Sequence, residues 1–199
     1  RAVTTNRSAP PPEWAGPTPS DITTVTIVDG LGRPIEVRKS SAVGGVGGMT
    51  TAGPVAYDAL GRVVARYHPF FTAGATSDEG FVVPPAPAGL PSTHFVYDLL
   101  DRVTDTQFPD DTHETVDYSI DPATRLFFTV VTDGNLHSRE TFNDLLGRTR
   151  AVVEHPNSAS ATTTYDYLPT GELTSITDTA GNTTTISHDL RGLWTELRN

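Results

Sequence analysis

The residues with the greatest capacity for chemistry are acidic and imidazole side chains gathered in one short stretch of the chain. Hard cations such as calcium need several oxygen ligands that converge on one point. The spacing in this stretch matches no EF-hand loop, and strand alternation sends Asp111 and His113 to one side and Glu114 to the other. We therefore interpret the cluster as a solvated turn and a charged strand edge, which deters edge-to-edge aggregation. It consists of Asp105, Asp110, Asp111, His113, Glu114 and Asp117.

Patterns that support other kinds of chemistry are missing from the sequence. The 6 histidines are scattered, and none forms a metal-ligand spacing. The stretch Gly44-Gly45-x-Gly47-Gly48 lacks the Gly-Lys-Ser/Thr ending of a phosphate loop, and no Gly-x-Ser-x-Gly elbow occurs. The chain has 0 cysteines, which removes disulfides, thiolate ligands and cysteine nucleophiles. We predict no catalytic residue, no metal site and no cofactor, and therefore a protein that is not an enzyme.

The dominant pattern is instead a repeat. The motif Tyr57-Asp58-Ala59-Leu60-Gly61-Arg62 returns in related forms along the chain, and its strand-end anchors fall at Tyr97, Tyr118, Phe142, Tyr165 and Ser187. The gaps between these anchors are 21, 24, 23 and 22 residues. A unit of about 22 residues fits two strands and two short turns and is too short for a βαβ unit. A fixed period marks a repeat architecture, and the unit predicted here is a β-hairpin added to an antiparallel sheet.

Each residue type in the turn motif has a structural reason for its position. An Asp at the end of a strand accepts a hydrogen bond from a backbone N–H two residues on, and Gly supplies the positive φ that closes the loop. The following Arg opens the next strand and reaches back to the Asp. Asp101 stands where Gly is expected, and Asp tolerates positive φ better than most residues. We assign structural turn roles to Asp29, Gly32, Arg33, Tyr57, Asp58, Gly61, Arg62, Tyr97, Asp98, Arg102, Asp144, Gly147, Arg148, Tyr165, Asp166, Gly171, Gly181 and Asp189.

Composition and charge limit the class of protein. The chain has 199 residues, of which 36% are hydrophobic, and 31 are threonines, which favour strands. The net charge of −10 argues against nucleic acid or an anionic membrane as the main partner. No apolar run of about 18 residues is present, so no membrane insertion is expected. These features predict one or two globular all-β domains.

Four regions differ in composition. We divide the chain into a Pro-rich extended lead-in at 1–21, first hairpins with a flexible Gly-rich linker at 22–68, a Pro-rich inserted loop at 69–93 and consecutive hairpins at 94–199. The linker itself is the stretch 43–48. Strands are predicted near 93–97, 102–108, 113–118, 125–132, 136–142, 148–153, 161–167, 172–178, 182–188 and 193–197. No segment shows helical periodicity with caps.

The turn sequences resemble the YD repeats of the Rhs family, which includes Rhs polymorphic toxins, the B–C shell components of insecticidal toxin complexes, and teneurins. The resemblance is carried by Tyr57-Asp58-x-x-Gly61-Arg62, by Val28-Asp29-Gly30-Leu31-Gly32-Arg33 and by the unit from Tyr165 to Asp189. It covers most of residues 22–197, with the insertion outside it. The resemblance implies antiparallel hairpins that form a segment of a large curved sheet or a spiralling shell.

The same resemblance implies a function. Such a segment is non-catalytic and helps to enclose a toxic C-terminal cargo, so its partners are the remaining shell of the same or a partner polypeptide, the enclosed toxin domain and a delivery component. The expected location is secreted or extracellular, as part of a larger bacterial protein. We expect a segment because 199 residues are too few to close a shell. Asp121-Pro122 is followed by Ala123 rather than by the Gly of the family's autoproteolysis motif, so we interpret it as a turn.

An alternative hypothesis assigns the same fold a different function. The same sheet would serve as an extracellular adhesion or glycan-binding module, with the 69–93 loop and exposed aromatic residues as the contact surface. At strand ends, however, regularly spaced aromatic residues are more typical of packing between neighbouring hairpins. Whichever use applies, a hairpin strip with open edges is expected to associate when it is expressed alone.

Overall fold

A computed structural model describes residues 2–6, 22–76, 89–156 and 159–199, and within these ranges the chain is all-β with antiparallel sheets and no helix. The all-β prediction is confirmed, and no membrane-spanning helix is found in the described part of the chain. The strands are β1 Ala2–Asn6, β2 Ile22–Val28, β3 Pro34–Val43, β4 Val46–Ala52, β5 Val55–Tyr57, β6 Val63–Tyr67, β7 Phe70–Ala73, β8 Ser92–Tyr97, β9 Val103–Gln107, β10 His113–Ile120, β11 Phe127–Thr132, β12 Ser138–Asn143, β13 Thr149–His155, β14 Ala161–Tyr167, β15 Leu173–Thr177, β16 Thr183–His188 and β17 Trp194–Arg198. The chain forms two compact units, Arg1–Val96 with Gln107–Asp111 and Tyr97–Thr106 with Thr112–Asn199.

The first unit contains the better-buried core. Its five-stranded sheet has the order β1-β2-β3-β4-β7, and β5, β6 and β8 pair in the order β8-β6-β5. Val25, Ile27 and Met49 are buried together on the five-stranded sheet. Glu36 is also buried, and its carboxylate accepts a hydrogen bond from Nε of Arg38 on the same strand. Pairing a buried carboxylate in this way offsets part of its desolvation cost.

The Gly-rich stretch 43–48 is not a flexible linker, and that expectation is corrected. Val43 and Val46 are paired partners at the ends of β3 and β4, and only Gly44 and Gly45 lie between them. Both glycines have positive φ, 58° and 80°. A two-residue hairpin turn needs positive φ at both central positions to match the twist of its strands, and Gly-Gly supplies it at low steric cost. The stretch is therefore a tight hairpin tip.

Parts of the lead-in and of the inserted loop form strands that the sequence did not predict. Ala2–Asn6 form β1, which pairs with β2, and the rest of the Pro-rich lead-in lies outside the described residues. Phe70–Ala73 form β7, which pairs with β4. Ser92 already belongs to β8, and residues 77–88 of the insertion lie outside the described residues.

In the second unit, strands follow one another in sequence order from β9 to β17, and each pairs with the next. All ten predicted strands from residue 93 onward are confirmed, with ends that differ by at most two residues. Few side chains here are deeply buried, and Val152 and Ile186 are the hydrophobic ones in the described residues of this unit. Each hairpin is therefore held largely by the hairpins on either side of it.

Because neighbouring strands are antiparallel, successive turns of the second unit fall on alternate edges of the sheet. One edge carries the turns 98–102, 121–125, 144–148, 168–172 and 189–193, and we call it the first rim. The opposite edge carries the described turns 133–137 and 178–182, and we call it the second rim.

Candidate functional site

The feature repeated most often in this molecule is a five-residue turn. In each copy the N–H of the first residue donates to the carbonyl of the fifth, and the N–H of the fourth donates to the carbonyl of the first, at 2.8–3.3 Å. The strand register shifts by one residue at these turns in several pairs, as in a hairpin that ends in a bulge. The copies are 29–33, 58–62, 98–102, 133–137, 144–148, 168–172, 178–182 and 189–193.

The fourth residue of the turn has left-handed backbone geometry in every copy. Glycine occupies the position in six copies, with φ from 77° to 113°. Asp101 and Leu136 occupy it in the other two, with φ of 61° and 64°. Short polar side chains tolerate this region, whereas Leu is uncommon there. The glycines are Gly32, Gly61, Gly147, Gly171, Gly181 and Gly192.

The carboxylate of the first residue organises the turn. Oδ1 of Asp29 accepts the N–H groups of Leu31 and Arg33 at 2.9 Å, and Oδ2 accepts Nε of Arg33 at 2.7 Å. The hydrogen bond from the Arg33 backbone N–H is the main reason that the pKa of Asp29 lies below its usual value. The same three hydrogen bonds recur in the pairs Asp58–Arg62, Asp98–Arg102 and Asp144–Arg148.

Three further turns keep the carboxylate but have no arginine at the fifth position. Asp178 Oδ2 accepts Nδ2 of Asn182 at 2.8 Å. His137 places Nδ1 3.5 Å from Oδ2 of Asp133. In the last turn, Arg191 at the third position reaches Asp189 at 3.1 Å. The backbone hydrogen bonds to Oδ1 are the same in all three, so the Asp recurs in seven of the eight turns, whereas the turn 168–172 begins with Leu168.

The arginines of these turns also reach tyrosines that come later in the chain. The guanidinium carbon of Arg33 lies 4.2 Å from the ring centre of Tyr57, and that of Arg102 lies 3.9 Å from the ring centre of Tyr118. A cation over an aromatic face contributes about 0.5–1 kcal/mol at an exposed site. The Tyr57 hydroxyl donates to the carbonyl of Pro34 at 3.0 Å, which ties one turn to the strand that begins at another.

The second unit repeats this connection. The guanidinium carbon of Arg148 lies 5.1 Å from the ring centre of Tyr167, and the Tyr167 hydroxyl donates to the carbonyl of Thr149 at 3.0 Å. Nη1 of Arg148 donates to the carbonyl of Leu168 at 3.1 Å. One arginine therefore joins its own turn to the next turn of the first rim, and the tyrosine completes the connection in the opposite direction.

Tyr165 and Asp166 do not lie at a turn, and their assignment is corrected. Both are inside β14, and the turn begins two residues later at Leu168. Asp166 instead accepts a hydrogen bond from Nη2 of Arg150 at 2.9 Å. The spacing from Tyr57 to Gly61 is repeated from Tyr167 to Gly171, and this spacing, rather than the Tyr-Asp pair, marks the true position of the turn.

The turn residues assigned from the sequence also omitted Asp133 and Asp178, which begin two turns, and Gly192. Asp133 begins a turn of the same geometry, but its fourth residue is Leu136 and its Gly134 stands at the second position, so the Asp-x-x-Gly pattern is hidden. Gly192 closes the final turn and could have been found from its spacing to Asp189. Tyr97, which was identified, precedes Asp98 just as Tyr57 precedes Asp58.

The acidic cluster of β9, β10 and the turn between them forms local pairs. His113 Nδ1 lies 2.9 Å from Oδ1 of Asp105, and Gln107 Nε2 donates to Oδ1 of Asp111 at 3.2 Å. Among the residues that the structure describes, no group of three or more His, Asp or Glu side chains is arranged to hold a metal ion. Asp121-Pro122 lies in a turn, as expected, and the Asp121 carboxylate accepts the N–H of Thr124 at 3.1 Å.

Comparison with known proteins identifies relatives by structure and not by sequence. No family model and no curated protein matches the chain. The crystal structure of TcdB2-TccC3-TEV matches 98% of the chain with a TM-score of 0.68 at 16% identity. A structure of the Photorhabdus luminescens Tc holotoxin pore with a mutation in TccC3 matches 98% of it with a TM-score of 0.65 at 15% identity.

A structure of TcdB2-TccC3 without the hypervariable C-terminal region also matches 98% of the chain, with a TM-score of 0.62 at 15% identity. In each of the three cases the chain spans 12% of the matched chain's length. The fold of this chain is therefore the fold of a segment of these Tc toxin chains, and the YD-shell resemblance predicted from the turns is confirmed at the level of fold.

Proposed function

We propose that this chain is a wall segment of a YD-repeat shell that sequesters a toxic polypeptide, and that it performs no catalysis. The observation that supports this most directly is the repeated connection between turns. Arg148 binds Asp144 of its own turn and the Leu168 carbonyl of the next turn on the same rim. Such connections link each hairpin to the next and so extend the sheet. A continuous sheet is better suited to form a barrier than a ligand-binding pocket.

The matched structures support the same role. The match persists in the TcdB2-TccC3 structure that lacks the hypervariable C-terminal region, so the part of that chain that resembles ours is not the hypervariable region. In our proposal the segment belongs to the constant wall, its neighbours are further hairpins of the same or a partner polypeptide, and the enclosed cargo and a delivery component are contributed by other parts of the assembly. The proposed location is secreted or extracellular.

The test is protease protection of the cargo in the complete polypeptide that carries this segment. We expect the region beyond the hairpins to resist a protease until the protein is denatured. The paired substitution Arg148→Ala with Tyr167→Ala, which removes one connection between turns, should admit protease at lower denaturant concentrations. The proposal fails if the downstream region is cleaved at the same rate in the intact wild-type protein and after denaturation.

The alternative use as an adhesion or glycan-binding module is favoured by one surface. A concave region of about 320 Å³ is lined by Arg102, Tyr118, Ile120 and Phe127, among others. Phe127 is half exposed and could stack on a sugar ring, whereas one face of Tyr118 is covered by Arg102. A glycan array with the wild-type chain and with Phe127→Ala tests this use, which requires a signal that the substitution abolishes.

A further inference from the structure

The connection between the last two turns of the first rim is made of different residues. In the connection of Arg148 with Tyr167, the arginine is the fifth residue of one turn and the tyrosine immediately precedes the next turn. At the following pair of turns, Glu172 and His188 occupy these two positions. A carboxylate and an imidazole therefore stand where the other connection has a guanidinium and a phenol.

Glu172 and His188 lie at the same end of the β15–β16 pair. Ser175 is paired with Thr185, and the same register continued by three residues sets Glu172 opposite His188. A Cβ added to Gly192, the glycine of the later turn, would lie 2.9 Å from Oε1 of Glu172. The side chain of Glu172 therefore reaches across to the next turn of the first rim.

An arginine occupies the corresponding space in the first unit. A Cβ added to Gly61 would lie 2.7 Å from Nη1 of Arg33, whose guanidinium covers the ring of Tyr57. In both places, glycine at the fourth turn position leaves room for the charged end of a side chain from another turn. Glu172 thus corresponds to this arginine in space as well as in its place in the turn.

Two polar atoms of the pair are buried without a hydrogen-bond partner among the residues that the structure describes, Oε2 of Glu172 and Nδ1 of His188. An unpartnered buried polar atom is destabilising. A carboxylate oxygen can only accept a hydrogen bond, whereas a protonated imidazole has a proton on both nitrogens and donates from each. A proton on Nδ1 would therefore give the carboxylate oxygen a donor.

We propose that Glu172 and His188 form a proton-dependent connection between these two turns, in which the imidazole takes up a proton in mild acid and binds the carboxylate. Imidazole ordinarily changes its charge between about pH 5 and about pH 8. A protonated imidazole that gains a carboxylate partner stabilises the folded state, so this contribution is present in mild acid and is lost as the pH rises. The connection of Arg148 with Tyr167 has no group that ordinarily titrates in this range. The inference rests on the connections between turns and not on the proposed containment of a cargo.

Glu172 keeps its negative charge over this range. Its pKa lies below the ordinary value of 4.5, first because the Thr170 side chain forms a hydrogen bond with the carboxylate, and the charge of His188 adds to the effect. A carboxylate whose pKa is lowered by folding loses its contribution only when the pH falls through the lower, folded value. The connection is therefore expected to be closed in mild acid and to open again only in stronger acid, below 4.5.

The other charged groups around His188 have partners of their own. Asp189 interacts with the charge of His188, but its carboxylate accepts the backbone N–H of Arg191 at 2.8 Å and Nη2 of the same arginine at 3.1 Å. On β17, Glu196 accepts Nε of Arg198 at 2.7 Å, and β15 contains no charged residue. Within the described residues, none of these groups offers His188 a buried oxygen without a partner.

A double-mutant cycle at two pH values tests the proposal. The four proteins are the wild-type chain, Glu172→Gln, His188→Phe and the double variant, and urea unfolding gives the folding equilibrium constant of each. We expect the coupling between the two side chains to favour folding by about two- to fivefold at about pH 5.5 and to vanish at about pH 8. Other imidazole–carboxylate pairs, such as His113 with Asp105, are present in all four proteins and cancel.

The neighbouring connection is the matched control. The cycle of Arg148→Ala with Tyr167→Ala should give the same coupling at both pH values, because neither side chain titrates between them. The paired substitution Glu172→Arg with His188→Tyr introduces the residues of that connection, and it should remove the pH dependence while Gly192 still leaves room for the longer side chain.

Amide hydrogen exchange provides a second measurement that does not depend on the folding of the Glu172 variants. The N–H of Gly192 donates to the Asp189 carbonyl at 3.0 Å and reports on local opening of the last turn. After correction for the intrinsic effect of pH on exchange, its protection should rise about two- to fivefold from about pH 8 to about pH 5.5 in the wild type and stay constant in His188→Phe. A coupling that is equal at both pH values or absent at both overturns the proposal, and so does a protection in the wild type that does not change.

Discussion

The guanidinium of Arg33 lies over the ring of Tyr57, with its central carbon 4.2 Å from the ring centre, although the two residues are 24 positions apart. The same tyrosine donates its hydroxyl to the carbonyl of Pro34, the residue that follows this arginine. Arg33 also binds Asp29 within its own turn. A local turn and a distant strand end are thus joined by one cation and one hydroxyl, and Arg148 with Tyr167 repeats the arrangement.

Removal of the tyrosine hydroxyl tests this connection. We expect Tyr57→Phe to lower the free energy of unfolding by about 0.5–1 kcal/mol, because it leaves the ring under Arg33 and deletes one hydrogen bond that is open to solvent. Tyr167→Phe should have a similar effect. Tyr118→Phe is the matched control, since its ring also lies beside an arginine but its hydroxyl has no partner among the described residues. Urea unfolding measures the differences, and equal losses in all three variants would contradict the role of the hydroxyl.

Leu136 is predicted to be a site of backbone strain. Its φ is 64°, and the left-handed region costs a non-glycine residue about 1–2 kcal/mol. Leu136→Gly relieves this strain, but glycine also increases the conformational entropy of the unfolded chain. We expect the relief of strain to be the larger effect and the thermal midpoint to rise by about 2–4 °C. Leu146→Gly, at an exposed turn position without positive φ, should lower it. If both glycines change the midpoint in the same direction, strain at Leu136 is not the cause.

The turn carboxylates predict a loss of stability in acid. The pKa of Asp58 is lowered, first by the hydrogen bond from the Arg62 backbone N–H, so the folded state binds its proton less tightly than the unfolded state does. The contribution is therefore fully present above the ordinary value of 3.8 and is lost as the pH falls through the lower folded pKa. The related shifts of Asp29, Asp133, Asp178 and Asp189 act in the same direction.

The measurement is the urea midpoint between pH 6 and pH 2. We expect it to fall most steeply below the ordinary aspartate pKa, and to fall less steeply in Asp58→Asn, because Asn keeps an oxygen for the backbone N–H groups but does not titrate. Asp166→Asn is the control, since Asp166 lies in a strand and not at the head of a turn. An identical slope in the wild type and in Asp58→Asn would show that the turns do not cause the acid sensitivity.

Arg148 is expected to resist conservative replacement. Its Nε binds Asp144 and its Nη1 binds the Leu168 carbonyl, a forked arrangement that the single ammonium of lysine cannot reproduce. We expect Arg148→Lys to lower the thermal midpoint by about 2–4 °C. Arg139→Lys, in a solvent-exposed pair with Glu154 at 3.8 Å, should change it little. The midpoints are measured by calorimetry. Equal changes in the thermal midpoint for the two variants would mean that the forked hydrogen bonds of Arg148 do not contribute to stability.

Much of the second unit could be predicted because its information is local. In most of the five-residue turns an Asp, a residue with positive φ and a side chain that binds the Asp lie within five positions, so their spacing identifies the turn. One predicted turn was wrong because the local amino-acid sequence fits more than one structure. Tyr165-Asp166 imitates the motif, but the strand continues through both residues and Tyr167 takes the anchoring place, a choice made by pairing with β15.

The first unit shows the opposite situation. The sequence of 43–48 is compatible with a flexible linker as well as with a hairpin tip, and only the pairing of β3 with β4 distinguishes the two. Likewise, the amino-acid sequence of Phe70–Ala73 is compatible with a loop as well as with a strand. Pairing with β4 makes it a strand. Both corrections concern hydrogen bonds between segments that are separated in sequence.

The sequence by itself determined the fold class, the hairpin period and most turn positions, since an Asx hydrogen bond, a positive φ and an Asp–Arg ion pair all act within five residues. Only the tertiary structure decided which tyrosine meets which arginine, which glycine stretches are hairpin tips, and on which edge of the sheet each turn of the second unit lies. Those outcomes depend on strand register and on the parity of antiparallel neighbours, which no single repeat contains.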